Sequence, residues 1–273
     1  MRRQAAISMG DTNNNIYRLG IGFVPVKGRL DGSQVMARGL HGVLYHVLKM
    51  ADRQDKTQEA TWLHQHEAPK PYTLVPYYVD DGSLAGIQIS AVGDRSATAL
   101  TRAWLLARES PEPLLLGRQP FRIGETELVY DGTINSLVMD EKYQRLGLRF
   151  LSPTSFKKGP GDMPLPMPES VFRRPFQVWN HYSHPLERLP DSWLEWCANS
   201  VYITKHRIET VDVRVGPGSY VTGFVGEVWY EPYKGTSLQR RMLAALSRLA
   251  GYAGVGRKTT MGLGAVEFLG TVN

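Results

Sequence analysis

The chain has 273 residues, 42% hydrophobic and 21% charged, with one cysteine and a formal charge of +6. That composition can bury one large core or two small ones, and Cys197 alone excludes an internal disulfide and a cysteine-based zinc site. No apolar run approaches the roughly 20 residues of a membrane span, and Met1-Arg2-Arg3-Gln4 leads into a polar stretch, Asp11 to Asn15, rather than a signal-peptide core. The expectation is a soluble, cytoplasmic protein that makes no membrane contact.

The charge is unevenly placed. Residues 1–140 carry 15 Lys/Arg against 15 Asp/Glu, whereas residues 141–273 carry 17 against 11, so a polyanion would meet the second half first. The same modest excess also suits a surface that is basic only for solubility.

The first half opens with an alternating strand, Ile16 to Pro25, and a turn from Gly28 to Gly32. From Gln34 to Met50, Leu40, Val43, Leu44, Val47 and Leu48 recur at helical spacing and predict an amphipathic helix. A shorter helix from Thr57 to about His66 ends before Pro69-Lys70-Pro71, and a strand follows from Tyr72 to Val79. Asp80-Asp81-Gly82-Ser83 reads as a hairpin turn into a strand from Leu84 to Val92. A helix from Thr98 to Arg108 and a strand near Phe121 to Tyr130 complete β-α-β-β-α-β.

The second half repeats that order. Arg149 to Pro153 is a strand, and Pro168 to Trp179 a helix whose first turn tolerates its proline. Val201 to Thr204 and Val211 to Val215 flank a basic turn, and a long strand runs from Tyr220 to Tyr230. Ser237 to Ala253 is helical, and Ala265 to Leu269 closes as a strand. The fold class is therefore α+β, with two tandem ferredoxin-like (RRM-like, βαββαβ) domains, 1–140 and 141–273.

Between the last helix and the last strand, Gly254-Val255-Gly256-Arg257-Lys258-Thr259-Thr260-Met261-Gly262-Leu263-Gly264 holds four glycines and two cations. Such a loop can approach a phosphate closely. It is not a P-loop, which needs Lys directly after its last Gly and then a helix, nor a dinucleotide fingerprint, since Thr259 stands where the third Gly belongs. A helix cap followed by an ordinary turn accounts for Gly254 but hardly for Gly262 and Gly264 as well.

Here the sequence resembles the CRISPR repeat-processing endoribonucleases of the RAMP superfamily, whose C-terminal signature is G-x-G, five residues, then G-x-G before the last strand. Two further blocks agree. Phe150-Leu151-Ser152-Pro153-Thr154-Ser155-Phe156-Lys157-Lys158 with Pro164-Leu165-Pro166 and Val171-Phe172 is similar to the family's "SPT-F-basic … P-x-P … VF" segment, and Gly223-Phe224-Val225-Gly226 to its "GF-x-G" strand. The strong resemblance covers roughly 149–270, with a weaker one over 40–77. It implies a metal-independent endoribonuclease that cuts precursor CRISPR RNA by 2′-hydroxyl attack, leaving a 5′-hydroxyl and a 2′,3′-cyclic phosphate. It also implies CRISPR repeat RNA, as precursor and as mature crRNA, for a partner, hands the product to an effector complex, leaves a homodimer open, and calls for no cofactor or metal.

Cleaving RNA without a metal needs a proton acceptor for the 2′-hydroxyl, a donor for the leaving oxygen, and positive charge on the phosphorane; histidine suits proton transfer at neutral pH. The family's catalytic histidine usually follows the first helix, in a stretch like "LH … PK-(apolar)-(aromatic)-T", and Leu63-His64 with Pro69-Lys70-Pro71-Tyr72-Thr73 fits that pattern. His64 is accordingly the first choice. His41 and Tyr45, one turn apart at the edge of the apolar stripe, face the same way as supporting residues, and Lys70 could steady charge. Packing at the core edge is the alternative for His41 and Tyr45, and a surface position at a helix end for His64. His46 falls about 140° round the helix and reads as solvated. His64 and His66 could chelate zinc as a lone pair, but no Asp, Glu or Cys cluster nearby completes a site.

For RNA binding the choices are Lys157, Lys158, Arg257 and Lys258 with Gly254, Gly256, Gly262 and Gly264, followed by Arg173 and Arg174, then Lys205 and Arg207. Phe156 and Tyr220 either stack on bases or belong to the core. A RAMP-type subunit that only binds guide RNA would keep the glycine loop without a working histidine, so His41 and His64 favour the enzyme. An unrelated RRM-like binder would show aromatic strand motifs, which are not found.

Overall fold

A computed structural model describes residues 14–66, 69–140 and 142–273. The polar opening segment therefore lies outside the described residues, apart from Asn14 and Asn15. Two antiparallel sheets organise the chain. The first comprises β1 (Asn15–Pro25), β2 (Tyr72–Tyr78), β3 (Leu84–Val92), β4 (Leu114–Leu116) and β5 (Gln119–Thr133), in the order β2-β3-β1-β5-β4. Leu19, Ile21 and Phe23 alternate inward along β1 and meet α1 (Ala37–Asp55) and α3 (Asp94–Glu109) in one core around the fully buried Trp104. Each such buried side chain contributes about 1.5–3 kcal/mol.

The second sheet is built from β6 (Arg145–Thr154), β9 (Val201–Gly216), β10 (Ser219–Pro232) and β11 (Val266–Val272), in the order β11-β6-β10-β9. Leu148 and Phe150 of β6 and Phe224, Val228 and Tyr230 of β10 pack beneath α4 (Pro168–Tyr182) and α6 (Ser237–Ala253). With β4 and the inserts set aside, both sheets have the strand order of the expected tandem ferredoxin-like fold. A short hairpin, β7 (Phe156–Lys158) and β8 (Gly161–Met163), follows β6. Ile16, Val92 and Ile134 from the first half join the core of the second, and Ala37, Val215, Val221 and Leu263 form a smaller seam between the sheets.

Several elements differ from their sequence expectation for identifiable reasons. The first helix begins at Ala37 rather than Gln34, because a 3-10 turn (Gly32–Gln34), capped by Asp31, occupies its expected start. It runs on to Asp55 because buried Ala51 extends the apolar stripe, and it stops at Lys56, whose φ of 56° is left-handed. Asp52 then accepts from the amides of Glu59 and Ala60, starting α2 (Glu59–Gln65).

The basic turn expected between Thr204 and Val211 does not exist. Lys205 and Arg207 lie in mid β9, which pairs with β10 from Val201↔Pro232 to Gly216↔Ser219. As the edge strand of its sheet β9 is wetted along much of its length, so polar residues interrupt its apolar pattern without breaking it. Two pieces have no legible periodicity: α5 (Ser192–Ser200), held by Trp193 and Cys197 one turn apart, and the three-residue strands of the β7–β8 hairpin. No helix among the described residues is long and apolar enough to cross a membrane.

Candidate active site and nucleic-acid interface

Helix α1 and the end of α2 bring three of the four expected catalytic side chains together. His41 and Tyr45 lie one turn apart on α1. The His64 ring sits 5.0 Å from that of Tyr45 and 6.3 Å from that of His41, centroid to centroid. Tyr72 at the start of β2 closes the floor of this narrow cleft, which Leu44, Leu48, Ala60 and Leu63 also line. Burial pushes the Tyr72 phenol up to about 12, partly offset by a hydrogen bond with the Thr260 side chain. Tyr72 belongs to the Pro69-Lys70-Pro71-Tyr72-Thr73 stretch, and its contact with Thr260, distant in sequence, ties its hydroxyl to the site.

The glycine loop reaches this cleft. His41 Nδ1 lies 3.2 Å from the Thr260 carbonyl oxygen, a partner that can only accept. Nδ1 therefore carries the proton in this contact, and Nε2 remains the basic nitrogen. Burial holds the His41 imidazole below the usual histidine range; the Thr260 contact opposes this shift, while His64 and Lys70 reinforce it. His41 is half-buried, whereas His64 is exposed.

Lys70 stands apart from the other three. Its ammonium donates to the carbonyls of Leu63 (3.3 Å), His64 (2.6 Å) and His66 (2.5 Å), tying off the C-terminus of α2. The charge thereby fixes the helix end that presents His64. His46 is exposed on the far side of α1. Beyond the cleft, the His66 ring lies 5.8 Å from that of His181 at the end of α4. Among the described residues no three His, Cys, Asp or Glu side chains converge.

Local backbone geometry explains the glycines. Gly254 caps α6 with φ of 69°. The Val255 amide donates to the Gly264 carbonyl (2.8 Å), the Gly264 amide to Pro153 (3.2 Å) and the Arg257 amide to Ser155 (3.1 Å), which fastens the loop to the end of β6. A Cβ on Gly264 would lie 2.0 Å from the Val255 oxygen, and one on Gly256 would lie 2.4 Å from the Ser155 oxygen. Those two glycines are thus required by the loop's own packing. A Cβ on Gly262 would instead lie 3.1 Å from Pro76 and 3.6 Å from Leu40, and all three residues line a groove with Tyr77, Tyr78, Arg214 and Tyr220. Tyr220 is 62% exposed there, while Phe156 is buried against Phe224.

The expected RNA-contacting cations divide into groups. Lys157 and Lys158 lie on the exposed β7–β8 hairpin, where Lys157 Nζ donates to the Pro160 carbonyl (2.8 Å). Arg257 is paired with Asp162 of the same hairpin, a partner that residue spacing offers no means of choosing. Lys258, left-handed at φ of 59°, has its ammonium pKa lowered by burial and then by Arg257 and Arg38. Arg173 is exposed on α4, and the neighbouring Arg174 is turned inward with Nε donating to the Ala253 carbonyl (2.6 Å). Lys205 and Arg207 lie on β9, exposed.

Residues 148–266 match the sequence family described as CRISPR-associated endoribonuclease Cas6. No curated protein sequence matches the chain. Among solved structures, a Thermus thermophilus Cas6 in a product complex is 24% identical with a TM-score of 0.78, covering 94% of this chain and all of that one. A second Cas6 product complex is 23% identical with a TM-score of 0.74, covering 93% of this chain and all of that one. A RAMP protein described as binding different RNA substrates is 15% identical with a TM-score of 0.53, again covering 93% of this chain and all of that one. Residues 148–266 thus carry the sequence pattern of the Cas6 endoribonucleases, and the fold over 94% of the chain is like that of a Cas6 structure.

Proposed function

We propose that this protein matures CRISPR RNA, cutting precursor transcripts within their repeats by metal-independent attack of the 2′-hydroxyl and leaving 5′-hydroxyl and 2′,3′-cyclic phosphate ends. The observation that carries the reading is the convergence of His41, Tyr45, His64 and Tyr72 on one cleft, closed by the carbonyl of the glycine loop. Two imidazoles whose centroids are 6.3 Å apart are close enough to reach one phosphodiester laid over the cleft.

His41 is the general base in this account. Its Nδ1 is engaged by Thr260, and burial keeps the ring neutral, so Nε2 is free to take the 2′-hydroxyl proton. His64, in water at the rim, protonates the leaving 5′-oxygen or steadies the phosphorane, and Tyr45 positions the phosphate. Lys70 acts through His64 by holding the end of α2. This ordering moves the principal proton acceptor from His64, the sequence's first choice, to His41. Residues 1–140 supply the chemistry and residues 141–273 most of the affinity, in the cytoplasm, with the product passed to an effector complex. The test is single-turnover cleavage of a repeat RNA. His41→Ala should slow it by on the order of 10² to 10⁴-fold with RNA affinity nearly unchanged, and His64→Ala should slow it less. Wild-type rates in both variants would sink the reading.

A further inference from the structure

Helix α4 shows one face to the core, through Val171, Phe172, Pro175, Phe176, Val178 and Trp179. Its other stripe, Ser170, Arg173, Arg174 and Gln177, spaced three and four residues apart, lies against Lys157 of the hairpin and Gly256 and Arg257 of the glycine loop. These residues enclose a pocket of about 240 Å³. Four cations line it and no carboxylate does; Asp162, the nearby acid, is taken by Arg257.

Arg174 is the unusual member. One edge of its guanidinium is anchored by the bond from Nε to Ala253 at the end of α6. Its Nη2 is buried and has no hydrogen-bond partner among the described residues. Burial lowers its pKa to about 10, so it stays charged at neutral pH. A buried cationic donor left without an acceptor is costly, and the pocket that Arg174 lines is a place where an anion could supply one.

We propose that this pocket seats one backbone phosphate of the bound RNA, with Arg174 as the fixed donor and Arg173 and Lys157 at the rim. The proposal rests on the RNA-processing reading and deepens it. Two elements tie the pocket to the cleft. The glycine loop contributes Gly256 and Arg257 to the pocket and Thr260 to His41, and α4 runs from Arg174 to His181, beside His66, over about 10 Å. A phosphate seated here would set the distance from this contact to the cut, so that the pocket acts as a register for the cleavage position.

The test has one arm without RNA and one with it. Thermal unfolding in inorganic phosphate, compared with chloride at equal ionic strength, should show protection of the wild type. Arg174→Met, which keeps side-chain bulk, and Ser170→Glu, which places a carboxylate in the pocket without removing a buried group, should both lose that protection. In equilibrium titrations with repeat RNA each variant should bind roughly tenfold or more weakly, with a salt slope smaller by about 0.7. Replacing single RNA phosphates by neutral methylphosphonates should reveal one position at which the wild type loses affinity and Arg174→Met does not. Equal phosphate protection in wild type and folded variants would overturn the proposal. So would protection lost with RNA affinity unchanged, which would make free phosphate the ligand, or a scan with no position dependent on Arg174. A wild-type protein that binds no repeat RNA at all would instead defeat the RNA-processing reading itself.

Discussion

Replacing Gly264 by alanine probes how the loop is built. At φ of 72° the new Cβ brings a left-handed penalty of about 1–2 kcal/mol. It would also lie 2.0 Å from the Val255 oxygen, so the loop must open by more than an ångström. That movement breaks the 2.8 Å bond from the Val255 amide to the Gly264 carbonyl, at a further cost of about 1–3 kcal/mol where the amide is left buried. The total, about 2–5 kcal/mol, should lower Tm by roughly 5–15 °C for a chain of this size. Gly117→Ala is the control: its φ is 64°, but nothing lies within 4 Å of its Cβ, so only the left-handed penalty applies. Melting curves followed by circular dichroism compare the two. Cleavage by Gly264→Ala below its transition should also fall, because the Thr260 carbonyl that orients His41 belongs to the same loop. If Gly264→Ala melts no lower than Gly117→Ala, the packing argument for the glycines fails.

Two further outcomes follow from the charges. His41 must be neutral to accept a proton, and burial depresses its pKa in the free protein, so the acid limb of the pH profile of kcat/KM should inflect below the ordinary histidine value of about 6.5; an inflection at or above that value would contradict His41 as the base. Replacing Lys157 and Lys158 together by alanine should weaken RNA binding and flatten the plot of log affinity against log salt by roughly 0.7 per lost contact, while saturating RNA largely restores cleavage; wild-type affinity with collapsed cleavage would place these lysines in the chemistry instead.

The order of strands and helices is legible in the sequence because the main helices and several of the sheet strands have one wet face and one dry face, as in Leu40, Val43, Leu44, Val47 and Leu48 of α1. The helix of Ser237–Ala253 is legible to the residue, since Thr236 and Gln239 form a capping box at its start and Gly254 ends it. Where both faces are wetted, as along β9, or where strands are three residues long, as in β7 and β8, no period exists to read. The same limit applies to the site. His41, Tyr45 and His64 can be chosen by residue type and spacing, but their ranking depends on the Thr260 contact, made across 219 residues of sequence. Likewise Arg257 looks like a free phosphate ligand until Asp162 is seen beside it, and Arg174, an ordinary surface arginine in sequence, is the one turned inward.

If the RNA supplies its own nucleophile and the protein only the proton transfers, the 2′-hydroxyl at the cut is indispensable and a metal ion is not. Both are tested most directly by single-turnover cleavage, in EDTA, of a repeat RNA carrying one 2′-deoxy nucleotide immediately upstream of the cut, beside the unmodified RNA. The unmodified RNA should be cut with EDTA present, and the deoxy RNA should be bound with similar affinity but left intact. Cleavage of the deoxy substrate, or a requirement for magnesium with the unmodified one, would contradict the mechanism.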